Sequence, residues 1–499
     1  MSAFAPIPLG APIPDSPHAV SCSLPTMAAV RGYEEKDPAV TASLKTGYPR
    51  FVIHPFARRL GEEFSRRSGL AGRRLWLASS RRMAAALLAH LACPGAELFE
   101  SHGVHGVTHP DSPEVAQRAK LYLQNIGGFL SSRQAEDTLV AMGVIGSALS
   151  EASFAGDAEA EVLRFLTPRF PGVATPLLAN CGMNAVHAAF AAVNAVQAPR
   201  GRTAWVQLGW LYLDTIAILR KFTAGPADYI RVGDVMDLGR LERLFSERGG
   251  SIAGVMAEVP TNPLVQTPDL ARLAALCRRH GVKLVLDPSL VSVFSADTLP
   301  HADIVVTSLT KYTGNRGDVI AGLLAVNPAA PDSEELARAA AAHIEPPYAR
   351  DLARLAAQIP DTESVLATIE ESTPRVAAFL ASHPAVRATY WALEPASRAN
   401  YLSIARRPGA TGGMISFYLR GELDPFYDRL RLPKGPSFGM RTTLICPFMY
   451  LAHYDLVTSE AGRAELRGEG LDPNLLRLCV GTEPCEDIIG SLREALEAS

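Results

Sequence analysis

Leu284-Val285-Leu286-Asp287-Pro288-Ser289 and, a short interval later, Asp303-Ile304-Val305-Val306-Thr307-Ser308-Leu309-Thr310-Lys311-Tyr312 decide how this chain is read. Each half is an apolar run of strand length that stops at polar groups. Runs without polar alternation fit strands covered on both faces, as in a parallel sheet. Together they set an aspartate, Asp287, and a lysine, Lys311, at neighbouring strand ends. In open α/β sheets ligands bind beyond the carboxyl ends of the strands. The pair therefore offers an amine able to form an imine with a carbonyl compound, beside a carboxylate able to hold a proton on a partner nitrogen.

Outward from this stretch, between about residues 134 and 330, strand-like runs at 203–208, 252–258, 283–286 and 303–306 alternate with helical periods such as 270–279. That alternation predicts βαβ units and an α/β fold built on a mainly parallel, doubly wound sheet. Beyond residue 360 two helices, 363–371 and 374–381, precede separated strands at 414–419 and 475–480, which predicts a smaller α+β domain. Helices at 56–67, 80–91 and 337–342 complete the pattern. The expected organisation is an N-terminal extension and arm over 1–128, a large domain over 129–360 and a C-terminal α+β domain over 361–499. The Pro-rich start up to Val20 reads as a loose tail rather than a secretory signal.

The 499 residues are enough for two or three domains. With 51 acidic against 48 basic residues, no global field favours nucleic acid or an anionic membrane, so the expected partners are small molecules and further copies of the chain. Seven cysteines without CxxC spacing point to reduced thiols, and with no apolar run of membrane-spanning length the expectation is a soluble, cytoplasmic protein. His102, His105 and His109 have spacing a metal could use, but no thiol is near them; a polar loop is the expectation and no metal site is assigned.

Further motifs stand in order around the opening pair: Glu258-Val-Pro-Thr-Asn-Pro263, Asp287, Ser308-Leu-Thr-Lys311-Tyr, and Gly314-Asn-Arg-Gly-Asp318-Val-Ile-Ala-Gly322. In order and spacing they resemble the fold type I pyridoxal 5'-phosphate (PLP) enzymes of cysteine and methionine metabolism. Within that family the chain is most similar to the cystathionine γ-synthases of long, fungal-like form. Gly32-Tyr-Glu-Glu35, Gly47-Tyr-Pro-Arg-Phe-Val-Ile-His-Pro55 and Ser131-Ser-Arg-Gln-Ala-Glu136 belong to the same resemblance, which runs from about residue 21 to 489 and is patchy between 56 and 120.

The resemblance implies a role for each matching residue. Lys311 carries PLP as a Schiff base and moves protons, while Asp287 keeps the pyridine nitrogen protonated so that the ring accepts electrons. Ser308 and Thr310, two alternating steps apart, donate to the phosphate. Asn180-Cys181-Gly182-Met183 matches a Ser-Gly-Met turn at a helix N-terminus, so Gly182 and Met183 hold the same phosphate. Tyr212 stacks on the ring, although Leu213-Asp214 replaces two glycines usual beside it, and a core aromatic is the alternative. Asn262 reaches the phenolic oxygen, or serves only an Asx turn. Arg133 crosses a subunit boundary to the neighbour's phosphate, which implies a homodimer or homotetramer with shared active sites. Ser131 stands where many relatives have a tyrosine, leaving more proton transfer to Lys311. Arg477 grips the substrate α-carboxylate, with a structural ion pair as the alternative, and Ser437 in Ser437-Phe438-Gly439 supplies a second contact.

The implied reaction is γ-replacement on an O-acyl-L-homoserine by a thiol, with cysteine giving cystathionine, as in transsulfuration and methionine biosynthesis. Sibling γ-substitutions by sulfide or a carbon nucleophile, γ-lyase reactions, and a catalytically silent binding subunit stay open at this level.

Overall fold

The computed structural model describes residues 4–46 and 53–498. Of the motif at 47–55, residues 47–52 lie outside the described part. The chain starts with a two-stranded ribbon, β1 (Pro12–Ile13) and β2 (Ser21–Cys22). An antiparallel sheet follows, made of β3 (Arg73–Ala78), β4 (Glu97–Ser101) and β5 (Val104–Pro110) in the order β3-β5-β4. The central sheet contains β6 (Leu177–Ala179), β7 (Ala204–Leu208), β8 (Tyr229–Val232), β9 (Ile252–Glu258), β10 (Lys283–Asp287), β11 (Ile304–Ser308) and β12 (Gly322–Val326). Their spatial order is β6-β12-β11-β10-β9-β7-β8. A last antiparallel sheet, β13 (Val386–Trp391), β14 (Met414–Leu419), β15 (Leu444–Pro447) and β16 (Leu476–Cys479), is ordered β13-β14-β16-β15.

The architecture is the expected α/β one. β8, β7, β9, β10 and β11 run parallel, β12 beside them is reversed, and β6, antiparallel to β12, runs with the other five. Every residue of β9 and the first four of β10 and β11 are buried, as their unbroken apolar runs require. The crossover helix Leu270–His280 turns Leu270, Leu273, Ala274, Leu276 and Cys277 inward. Asp269 caps its start by accepting from the Arg272 N–H, and Gly281 ends it at φ +65°, a left-handed position that favours glycine.

Two expectations fail. Residues 4–20 are not a loose tail, for Ala19 and Val20 are 1% exposed and Ile13 2%. Gly10 N–H donates to Ser23 O at 2.8 Å and Val20 N–H to Gly317 O at 2.8 Å. Its prolines fix φ in extended geometry, so they shape a packed arm instead of loosening it. The break expected before Pro374 is also absent, because Thr362–Ser382 is one helix with Pro374 inside it. Its apolar stripe, from Val365, Leu366 and Ile369 to Val376, Ala377 and Leu380, is buried on both sides of the proline, and that packing outweighs the lost backbone bond.

Candidate active site

Because β9, β10 and β11 are parallel neighbours, their carboxyl ends lie side by side. Glu258 and Asp287 are direct partners in the register, and Ser308 ends the next strand. A cavity of about 120 Å³ opens over these ends, and all the expected site residues except Thr310 and Arg133 line it.

Lys311 lies in the turn after β11. Its Nζ donates to Ser437 Oγ at 3.0 Å and sits 4.8 Å from the centre of the Phe438 ring. Burial, aided by the Arg477 charge, pulls its amine down to about 7. A large share of it is therefore an unprotonated nucleophile at neutral pH. Asp287 Oδ1 accepts from Ser289 N–H at 2.9 Å and from the Ser289 hydroxyl at 2.5 Å. Ser289 Oγ in turn accepts from Ser308 N–H at 2.8 Å, tying the two strand ends together. Burial pushes both Asp287 and Glu258 up, Glu258 also through the Asp287 charge, while the two Ser289 donors oppose the rise at Asp287. A shared proton thus belongs on Glu258, and Asp287 keeps the negative charge.

The helix Gly182–Gln197 points its N-terminus at this corner, capped by the Cys181 thiol, which accepts from Asn184 N–H. A Cβ on Gly182 would stand 2.9 Å from the Ser308 Cβ, so only glycine lets the helix come this close. Among the described residues nothing hydrogen-bonds the buried Ser308 hydroxyl. A helix N-terminus beside an unsatisfied hydroxyl is a cradle for a dianion.

Tyr212 begins the helix Leu213–Phe222, and its N–H donates to Glu258 Oε1 at 2.5 Å. Asn262 Oδ1 accepts from Arg477 Nη1 at 3.2 Å, and Arg477 Nη2 donates to Ser437 O at 3.4 Å. The guanidinium carbon lies 4.6 Å from the Phe448 ring centre and 5.2 Å from that of Phe438. Among the described residues Arg477 is thus held between two aromatic faces rather than in a carboxylate pair.

Thr310 departs from the expectation. β11 stops at Ser308, so strand alternation does not continue to residue 310. Its hydroxyl accepts from Ala321 N–H at 3.1 Å and donates to Ala321 O at 3.3 Å, which ties the lysine turn to β12. Arg133, in the helix Ser132–Ala141, is 1% exposed. It donates to Glu151 Oε1 and Oε2, each at 2.7 Å, and to Asp351 Oδ1 at 2.9 Å. Ser131 caps the same helix and donates to Asp351. His109 accepts from Trp76 Nε1 at 3.1 Å, and among the described residues no group of three His, Cys, Asp or Glu is arranged to hold a metal ion.

The model of the Cys/Met metabolism PLP-dependent enzyme family matches residues 160–497. The chain belongs to this family. It is 37% identical over 491 residues to the L-2-amino-4-chloropent-4-enoate dechlorinase/desaturase of Streptantibioticus cattleyicolor, covering 98% of each chain. The cystathionine gamma-synthase of Neurospora crassa is 32% identical over 324 residues, 64% of this chain and 51% of that one. In fold the chain resembles the cystathionine gamma synthase of Xanthomonas oryzae pv. oryzae, with a TM-score of 0.57 and 22% identity over 73% of this chain and 96% of that one.

The family's cofactor is PLP, and the cavity's residues fit it. The Gly182 cradle with Ser308 suits the phosphate, Asp287 the ring nitrogen and Lys311 the aldehyde. Glu258, Ser289, Phe438 and Phe448 received no role from the sequence. Glu258 was visible inside its motif, whereas the double duty of Ser289 depends on strand register and leaves no local signal.

Proposed function

We propose that this PLP enzyme expels a leaving group from the γ-carbon of an L-α-amino acid and that elimination, not addition of a second amino acid, completes the reaction. The observation that carries this reading is the supply of charge. Among the described residues lining the cavity, Lys311 and Arg477 are the only cationic side chains. Lys311 is committed to the cofactor and Arg477 to the α-carboxylate. The carboxylate of an incoming cysteine, or of a succinyl group, would find no third cation among the described lining residues. Leu213, Phe448, Leu451 and Ala452 offer instead an apolar wall suited to an uncharged side chain.

When bound, PLP supplies the electron sink for negative charge developing on the substrate. Arg477, braced by Asn262 and the two phenylalanines, orients the substrate through its carboxylate. Lys311, with an amine that changes charge near neutrality, takes the Cα proton and serves the neighbouring carbon. Ser437 holds the amine in place through its hydroxyl. The Cβ proton and the γ leaving group, departing with its bonding electrons, are lost together with one new unsaturation. For a γ-chloride, hydrogen chloride leaves and the product keeps its amine. The 37% identity to a dechlorinase/desaturase over nearly the whole chain supports the same reading.

A second reading, γ-replacement of an O-acyl-L-homoserine by cysteine, is favoured by the likeness to the Neurospora enzyme. Either reading includes a homodimer or homotetramer in which Arg133 serves a second copy. For that role it must leave Glu151 and Asp351, so a monomer by sedimentation that is still active would remove it.

The test incubates the holoenzyme with L-2-amino-4-chloropent-4-enoate and with O-acetyl-, O-succinyl- and O-phospho-L-homoserine, each with cysteine, sulfide or no thiol. The expected product is the chloro substrate less hydrogen chloride, formed without thiol. Thiol-dependent cystathionine from an acylhomoserine, with the chloro substrate untouched, would overturn elimination in favour of replacement.

A further inference from the structure

Glu258 ends β9 in the floor of the cavity and is 8% exposed, yet the reaction above assigns it no step. Its carboxyl is joined to another segment, accepting the N–H of Tyr212 at 2.5 Å. Tyr212 stands at the end of a loop, and the helix after it has no side-chain cap at its start. The groups facing Glu258 are Asp287 on β10 and Arg477 on β16. We propose that Glu258 is a positioning residue, locking to the rigid strand the backbone segment that brings Tyr212 to the cofactor ring. This rests on the cofactor placement given above.

The role needs an acceptor oxygen at the right reach, not a negative charge. Burial and the charge of Asp287 favour the protonated carboxyl, whose carbonyl oxygen still accepts an N–H. An amide of the same length should therefore replace it, and a shorter acid should not.

The test is titration of the apo protein with pyridoxal 5'-phosphate, read by absorbance, with thermal midpoints of each apo variant recorded alongside. Glu258→Ala should raise Kd by about tenfold or more, while Glu258→Gln stays within about threefold of the parent. In a Tyr212→Ala background the Glu258→Ala change should add less than about threefold, because its effect passes through that tyrosine. If the alanine variant does not fold, Glu258→Asp takes its place, with a Kd raised by about tenfold against the near-parental Gln variant. An unchanged Kd in the alanine or aspartate variant, a Gln variant as weak as the alanine one, or full additivity with Tyr212→Ala would overturn the proposal. Failure of the parent itself to bind pyridoxal 5'-phosphate would instead overturn the cofactor placement.

Discussion

Lys311 is reactive because of its surroundings. A lysine amine in water is proton-free only far above neutrality, whereas burial first and Arg477 second bring this one to about 7. The depressed value means the nucleophilic form dominates above about pH 7 and is lost as pH falls through it. The rate at which apo protein captures pyridoxal 5'-phosphate should rise with pH around that point. Arg477→Gln removes one of the two causes, so the midpoint should move upward; a midpoint that stays in place would contradict the assignment. Lys311→Ala should abolish both the imine chromophore and turnover, checked by absorbance and by product mass. Arg477→Ala should raise KM roughly 10- to 100-fold, the cost of losing a charge-assisted bond to a carboxylate, with a smaller change in kcat. At this scale the convergence of Lys311, Asp287, Asn262 and Arg477 on one cavity was legible, since they stand in motifs of fixed spacing. Ser289 was not, because its importance lies in touching two strands at once.

At the scale of elements, the cofactor corner depends on how closely one helix approaches one strand. Gly182 has no left-handed φ, so an alanine there is opposed by contact rather than by its own backbone, meeting the Ser308 Cβ at 2.9 Å and the Ser308 Cα at 3.2 Å. Gly182→Ala should destabilise the apo protein by about 1–3 kcal/mol of overpacking and, as the helix N-terminus moves off Ser308, raise the Kd for pyridoxal 5'-phosphate by about tenfold. A normal Kd in that variant would show that the helix can shift freely. The buried parallel strands were legible because their side chains are apolar throughout. Thr310 was misread because spacing by two implies a shared face only while a strand lasts, and β11 stops at Ser308. Pro374 was misread because a local rule for breaking helices says nothing about an apolar stripe that needs the helix to continue.

For the whole molecule, the decisive ties link residues far apart in sequence, which is why the N-terminal region was the least legible part. Arg133 joins its helix to Glu151 and to Asp351 in the helix Ala349–Gln358, all in a nearly water-free setting. Arg133→Met takes a guanidinium from Glu151, which keeps Arg350 at 3.1 Å, and from Asp351, which keeps the Ser131 hydroxyl, and should cost up to about 3–5 kcal/mol, read from denaturant unfolding. A loss below about 1 kcal/mol would show that water or Arg350 replaces it. His18 ties the arm to the same helix through Ser132 at 2.9 Å and Glu136 at 3.1 Å.

The arm also touches the loop that presents Ser437. Ser21 Oγ donates to Pro436 O at 2.5 Å, and a Cβ on Gly435 would meet the Cys22 carbonyl at 2.4 Å. The opening of the polypeptide therefore acts as a buttress behind the hydroxyl that steadies the reactive amine. Proteolytic nicking ahead of Met27, or a bulky fusion placed there, should make turnover fade while the great sheet remains folded.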